Sequence, residues 1–444
     1  MQRTSAPNRH RPCAATTAPS QGLRLLAGLS AGGPATLAEH RAVHGPLPAV
    51  SRARRDAAHH PVVAELLASG LTGRGGAGFP FAHKLLAVAG RRDPLVVVNL
   101  SEGEPASLKD AVLATRTPHL VLDGAEASAR LVGSREVVLY VHRGDRSAVH
   151  SLRAAVAERP AGITWTVVGG PDRYVAGEAS AAVRFLSGGP AKPTMVPPHV
   201  TQRGVDRRPT LLSNAETYAH VALVVRHGAA WYRRAGTPEE SGTVLLTLAG
   251  AVAGPGVVEV PFGRRLADVV AEAGGVADEV DAVLVGGYAG TWVPWAQLRD
   301  LPVSRMALRA AGADLGVGLL AFLPRDHCGL AETTRLVRWL AGESAGQCGP
   351  CVNGLPSLAR AFEHLTHAGD ARSPDLLQRW TAQVQGRGAC HHPDGVARLV
   401  ASALQTFGGE VESHVGLRRC TATSSAPYLA VPPACDATDE RSWR

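Results

Sequence analysis

Three cysteines carry the most specific chemistry in this chain. Cys348 and Cys351 stand three apart in "ESAGQCGPCVNG", and Cys390 follows in "GRGACHHPDG". Thiolates bind soft metal ions and iron–sulfur clusters, and a cubane cluster typically takes four of them. With three, the fourth iron needs another ligand: His391 or His392 beside Cys390, Ser344, or Cys420 if it returns in space. A three-iron cluster or a cubane with water on one iron also fits. Zinc on three Cys and one His suits the donor types, and two small buried thiols without a metal are the bland alternative. Cys328, in "PRDHCGLAE", reads as a core or loop residue, and Cys13 and Cys435 fall in the terminal tails.

Two polar loops add a second kind of chemistry. "GRGGAGF" places Gly73, Gly75 and Gly78 in a G-x-G-x-x-G pattern, but a helix precedes it where the dinucleotide fingerprint requires a strand. The pattern still suits an anion. Consecutive glycines bring backbone N–H groups close, the next helix adds its positive end, and Lys84 lies about two turns on. "VVNLSEGEPASLKD" then gathers Asn99, Glu102, Glu104, Lys109 and Asp110 at a strand's carboxyl end. Carboxylates two apart on a turn are commonly plain surface; here the neighbouring loops argue for a site.

These residues need a scaffold, and the hydrophobic pattern supplies one. Residues 62–90 read as helix, glycine loop and helix. "PLVVVNL", "REVVLYVHRG" and "ITWTVVGG" read as strands separated by helical stretches at 110–133 and 146–160. Such alternation predicts a parallel sheet covered by helices, with ligands beyond the strands' carboxyl ends, where "NLSEGEP" and "GGPDRYVAGE" fall. Residues 190–216 read as a Pro-rich crossing loop. From Thr243 a hairpin, a helix and the strand "AVLVGGYAGTWV" predict a β-grasp unit, and four helical stretches follow from Leu330. The fold class is therefore α/β: a tail over 1–22, a Rossmann-like domain over 23–240, a β-grasp domain over 241–305, a helical domain over 306–418 and a tail over 419–444.

The bulk composition excludes several classes. The 444 residues are 45% hydrophobic and 19% charged, with 49 glycines, and this is ordinary globular composition. No apolar run reaches the roughly 18–20 residues of a membrane span, and the first 20 residues lack the apolar segment of a secretory signal. A cytoplasmic protein without direct membrane insertion is expected. Its net charge of +8 comes from scattered Arg without interleaved aromatics, so an acidic protein partner is expected and a nucleic acid is not. Seven cysteines, an odd and uneven set, favour metal or redox use over a disulfide framework. His40, His44, His59 and His60 read mostly as surface groups.

Taken in order, "GLTGRGGAGFPFAHK", "NLSEGEPASLKD", "RYVAGEASA", "PTLLSNAETYAHV", the β-grasp unit (of the SLBB type) and "ESAGQCGPC" resemble the NADH-binding flavoprotein subunit of respiratory complex I. That family includes the diaphorase subunits of NAD-dependent hydrogenases and formate dehydrogenases. The likeness runs from about residue 60 to about 415. It implies FMN held by Gly73, Arg74, Gly75, Gly78, Lys84, Asn99, Glu102, Gly177, Glu178, Ser213, Asn214 and Thr217. It implies NADH against Phe79, Glu104 and Lys192, and an iron–sulfur cluster on Cys348, Cys351 and Cys390, either [4Fe–4S] or three-iron, with the fourth ligand unknown. Flavin does the chemistry, so no catalytic triad is expected.

The departures from the family pattern are specific. Ser101 replaces an aspartate, Ala179 a glutamate and Ser213 an asparagine. Met195 and Ala87 stand where aromatics usually face the adenine, and Ala345 replaces the first cysteine. The flavin cradle is largely kept while the nucleotide platform is thinned. The implied activity is hydride transfer from NADH to FMN, then single electrons through the cluster to an acidic redox protein such as ferredoxin, or to another iron–sulfur subunit. A place peripheral to a membrane complex is compatible with this. The rivals are a non-enzymatic scaffold that has lost NADH binding and the reverse reaction from ferredoxin to NAD.

Overall fold

The computed structural model describes residues 23–29, 33–53, 57–195, 199–417, 420, 422–433 and 439–444. The expected tail over 1–22, with Cys13, lies outside the described residues, as does Cys435.

Valine-rich segments build the first sheet because β-branched residues pack well on a pleated surface covered on both faces. Strands β1 (Leu95–Leu100), β2 (Glu136–His142), β3 (Thr164–Gly170) and β4 (Thr210–Asn214) run parallel in the order β3-β2-β1-β4. Helix α1 (Leu37–His44) begins the described helices, and α2 (Pro61–Ser69) and α3 (Phe81–Val88) flank the glycine loop. Thr117 and Pro118 divide the single helical stretch expected at 110–133 into α4 (Lys109–Arg116) and α5 (Pro118–Val132), as a proline at a first helical position does. Helices α6 (Arg146–Ala157), α7 (Ala179–Leu186) and α8 (Ala215–Tyr232) complete the layer. Strand β4 lies inside the expected crossing loop. Its five residues directly follow Pro209, too short a run to show a period.

The second sheet has the order β6-β5-β9-β7-β8. β5 (Thr243–Gly250) and β6 (Gly256–Pro261) form the expected hairpin, and α9 (Leu266–Glu272) follows. The expected single strand at 282–293 is instead a hairpin of β7 (Val280–Val285) and β8 (Thr291–Pro294). It turns at Gly286 and Gly287, whose φ values of 95° and 132° suit glycine. Two short helices, α10 (Trp295–Leu298) and α11 (Arg305–Ala310), lead to β9 (Leu319–Pro324), parallel to β5 and antiparallel to β7. The sheet's middle strand thus lies beyond the expected boundary at 305. Every residue of β9 is buried, so it lacks the alternation that marks a half-exposed strand.

The helical part comprises α12 (Gly329–Gly342), α13 (Leu355–Glu363), α14 (Ser373–Val384), α15 (His392–Thr406) and α16 (Gly408–Leu417). The expected tail after 418 is ordered where described. Ser424 pairs with His327, Tyr428 and Leu429 donate N–H groups to Glu332, and Trp443 is fully buried. These segments read as tail because their apolar residues are isolated. His40 departs similarly: it is buried, with Nε2 2.7 Å from Asp123 Oδ2.

Candidate flavin and iron–sulfur site

The strand order fixes where a ligand can bind. From β1 the chain moves outward to β2 and β3, whereas β4 lies on the other side of β1, so the order switches between β1 and β4. Ligands of open α/β sheets bind in the crevice at such a point. Asn99 lies near the end of β1 and Asn214 ends β4, and the two are register partners.

Around them converge the polar loops. Asn99 Nδ2 donates to the Gly177 carbonyl at 2.8 Å, and its Oδ1 accepts the Ser101 N–H at 3.1 Å. Asn214 Nδ2 donates to Asp110 at 2.6 Å, and its Oδ1 accepts from Lys109 Nζ at 2.9 Å. Lys109 is 1% exposed and lies between Asp110 and Glu216, whose opposite charges hold it protonated although burial opposes this. Lys109 and Asp110 stood in the acidic motif without an assigned role, and Glu216 was not singled out at all.

The glycine loop presses on this point with bare backbone. A Cβ at Gly75 would sit 3.3 Å from Asn214 Cβ, and Gly75 itself is exposed. Gly73 and Gly78 frame the loop, whose ends pair through Gly73 N–H and the Phe79 carbonyl at 2.8 Å. Lys84 reaches the Leu212 carbonyl near the end of β4 at 3.1 Å, and burial lowers its pKa. Gly177 also tolerates no side chain, because a Cβ would collide with the Ser101 carbonyl. An open, side-chain-free loop, a strand-end crevice and a nearby cation fit a phosphate-bearing flavin.

Several expected contacts turn inward. Arg74 is 2% exposed and its guanidinium donates to Tyr232 and the Thr243 carbonyl, while its own N–H binds Thr217 Oγ1 at 2.9 Å. Arg74 and Thr217 thus position the glycine loop from behind. Ser213 is buried opposite Val98. Glu102 folds back onto Ser107 and the Asp110 N–H, and burial with Asp110 nearby raises its pKa to about 8. Glu104 accepts from Tyr174 at 2.6 Å and from the Tyr288 N–H at 2.7 Å, and burial raises its pKa to about 7. Glu104 therefore ties three segments together. Phe79 is 52% exposed and free to stack. Lys192 is not free: its Nζ lies 2.6 Å from Glu440 and over the Trp443 ring. Thr194, Arg184, Arg203 and Arg207 line a cavity of about 690 Å³ that includes none of the expected site residues.

The cysteine stretch docks directly on this domain. Tyr174 N–H donates to Glu343 at 2.8 Å, Arg173 donates to the Gly342 carbonyl at 2.9 Å, and Gln347 donates to the Pro193 carbonyl at 2.7 Å. Cys348 and Cys351 precede α13 and Cys390 precedes α15. Burial is the main cause of the raised Cys351 and Cys390 pKa values; Cys348 adds to both, and Glu178 adds to that of Cys390. The three ligand atoms are not all within 4.8 Å of one another, which suits a cluster that binds each thiolate to a separate iron better than one ion.

The fourth-ligand candidates separate. Ala345 is buried against Val175 and Trp443. The His391 side chain is fully exposed, and Cys420 lies with Cys328 and His414 instead. His392 is 7% exposed and donates Nε2–H to the Leu340 carbonyl at 2.9 Å, which leaves Nδ1 bare, buried and without a hydrogen bond. Burial also lowers its pKa to about 4, so the ring is neutral and able to bind metal.

Comparison with known proteins agrees with the fold and with the two kinds of cofactor. The family described as the Nuo51 FMN-binding domain matches residues 66–223, and the NADH-ubiquinone oxidoreductase-F iron-sulfur binding region matches residues 331–414. One of the NADH-quinone oxidoreductase F subunits of Rhizobium meliloti (strain 1021), the one numbered 2, is 32% identical over 372 residues, 79% of this chain and 88% of that protein. This chain belongs to the family of NADH-quinone oxidoreductase F subunits. The NADP-reducing hydrogenase subunit HndC of Solidesulfovibrio fructosivorans is 28% identical over 83% of this chain and 79% of its own length. A crystal structure of NAD+-reducing [NiFe]-hydrogenase in the H2-reduced state superposes with a TM-score of 0.73 at 31% identity, over 81% of this chain. This chain spans 64% of that hydrogenase chain. The family settles the fold class and the cofactor types: an FMN-binding α/β domain and a helical iron–sulfur region.

Proposed function

We infer that this chain works as the NADH-oxidising subunit of a multi-subunit redox assembly, passing electrons to an iron–sulfur protein. It is an FMN- and iron–sulfur-bearing NADH oxidoreductase by family. One observation carries the electron route: the loop over 173–178 joins the two sites. The Gly177 carbonyl is fixed by Asn99 in the flavin crevice, and Arg173 and Tyr174 of the same loop donate to the Gly342 carbonyl and to Glu343 just before the cysteine stretch.

Bound FMN supplies hydride acceptance, and a bound cluster supplies one-electron transfer. The protein's part is positioning. Gly73, Gly75 and Gly78 give open backbone to the flavin phosphate, Lys84 a neighbouring cation, and Asn99 and Asn214 the floor of the crevice. Phe79 offers the exposed ring on which a nicotinamide nucleotide stacks, and Lys192 a cation for its acidic part once Glu440 yields. Cys348, Cys351 and Cys390 would hold the cluster, with the unpaired His392 Nδ1 as its fourth ligand.

The net charge of +8 favours an acidic partner, as an iron–sulfur subunit or ferredoxin-type protein would be. No described helix is long and apolar enough to cross a membrane, consistent with a peripheral place in such an assembly. Potentials, not this geometry, set whether electrons flow from or to NAD. The test is steady-state turnover with NADH and two acceptors. Ferricyanide should be reduced even after iron is stripped, whereas reduction of an acidic [2Fe–2S] protein should need the cluster. No oxidation of NADH with either acceptor would leave the scaffold reading instead.

A further inference from the structure

Cys328, His414 and Cys420 form a second metal-ligating group, remote in role from the three cluster cysteines. Their ligand atoms all lie within 4.8 Å of one another, the one such group among the described residues. Cys328 is the N-cap of α12 and is 2% exposed, with its Sγ 3.5 Å from His414 Nε2 and 3.2 Å from Glu410 Oε2. Glu410 and His414 lie four apart on α16 and so share a face. Cys420 approaches from beyond the end of that helix. Two sulfurs, an imidazole nitrogen and a carboxylate oxygen therefore converge from three chain segments.

We propose that Cys328, His414 and Cys420 bind a structural Zn²⁺ ion, with Glu410 Oε2 at the fourth position. The donor set is the tetrahedral N/S/O type that zinc prefers, with bonds of about 2.0–2.3 Å, so ligand atoms within 4.8 Å need only a modest inward shift. The Glu410 oxygens also accept the Gly329 and Leu330 N–H groups at 3.1 Å each, which fixes the carboxylate in place as an outer partner would.

The site's position states its purpose. Cys328 N–H donates to the Ser424 carbonyl at 2.9 Å, and Ser424 N–H donates to the Asp326 carbonyl at 2.8 Å. Beyond them, Tyr288 donates its hydroxyl to the Ala430 carbonyl at 2.8 Å. An ion there pins the segment after α16 across the base of α12 and against the second sheet. No electron passes through it, since zinc is not redox-active.

The test is metal content of the full-length protein purified anaerobically without added zinc, counted separately from iron. About one zinc per chain is expected, released by mercurial titration of thiols. His414→Ala and Cys420→Ser should each lose that zinc while FMN and iron remain. Replacement by Co²⁺ should give the visible d–d bands of a tetrahedral site with thiolate ligands, which needs no variant to fold. Wild type without zinc and unable to bind Co²⁺, zinc retained in both variants, or a Cys328–Cys420 disulfide found by thiol counting would each overturn the proposal.

Discussion

Asn99 and Asn214 stand side by side at the carboxyl ends of adjacent parallel strands, and Asn214 Nδ2 donates to the Asn99 carbonyl at 3.3 Å. The pair makes the floor of the switch-point crevice. It also links the acidic loop and the loop ending in Glu178, each hydrogen-bonded to one of the two residues, and the glycine loop passes so close to Asn214 that a side chain at Gly75 would crowd it.

Asn214→Ala should therefore weaken FMN without unfolding the chain. The change removes one hydrogen bond each from Lys109 and Asp110, which keep one another, and loosens the crevice floor that the flavin would meet. FMN affinity should fall by roughly the worth of one hydrogen bond, about 2- to 10-fold, read by quenching of flavin fluorescence as apoprotein is titrated. Unchanged affinity would place the flavin elsewhere.

Glu104 predicts a pH signature. Its carboxyl holds a proton up to about pH 7 in the fold and releases it near 4.5 when unfolded. Between those values the native state binds more protons, so stability falls as pH rises through this window, by on the order of 3 kcal/mol. Glu104→Gln should remove that slope. Melting temperatures of variant and wild type should agree more closely at about pH 5 and diverge by about pH 8, with the variant higher.

Ligation of the cluster can be tested by restoring a thiolate. Ala345→Cys should supply a fourth sulfur and change the electron paramagnetic resonance spectrum of the reduced cluster. His392→Ala should lose iron in the wild-type background and keep it in the Ala345→Cys background. Iron retained in His392→Ala alone would remove His392 from the ligand set.

The Lys192–Glu440 pair predicts a change in KM. Glu440 is largely exposed, so solvent screens the pair and it holds Lys192 only weakly. Glu440→Gln should free Lys192 and lower the KM for NADH by about 1.5- to 5-fold, with kcat unchanged. An unaltered KM would mean that Lys192 has no part in holding the nucleotide.

Legibility followed the length scale of each signal. The glycine loop, the acidic motif and the cysteine triplet are local strings, and their positions at strand and helix ends could be read directly. β4 and β9 could not, because a five-residue run after proline and a run buried on both faces carry no period. Pairings between positions far apart in the chain were equally invisible: Glu440 on Lys192, Trp443 against Ala345, and Cys420 beside Cys328. Arg74 shows the converse limit. Its place in a motif suggested a ligand contact, whereas the fold directs its guanidinium to Tyr232 and Thr243.

The most direct measurement is an anaerobic titration with NADH, followed by visible absorption and electron paramagnetic resonance. Loss of the flavin bands together with appearance of a reduced iron–sulfur signal is the predicted result, because the loop over 173–178 bonds both to Asn99 and to the segment leading into the cysteines. Flavin bleaching with no iron–sulfur signal, in protein shown to contain iron and sulfide, would contradict the account.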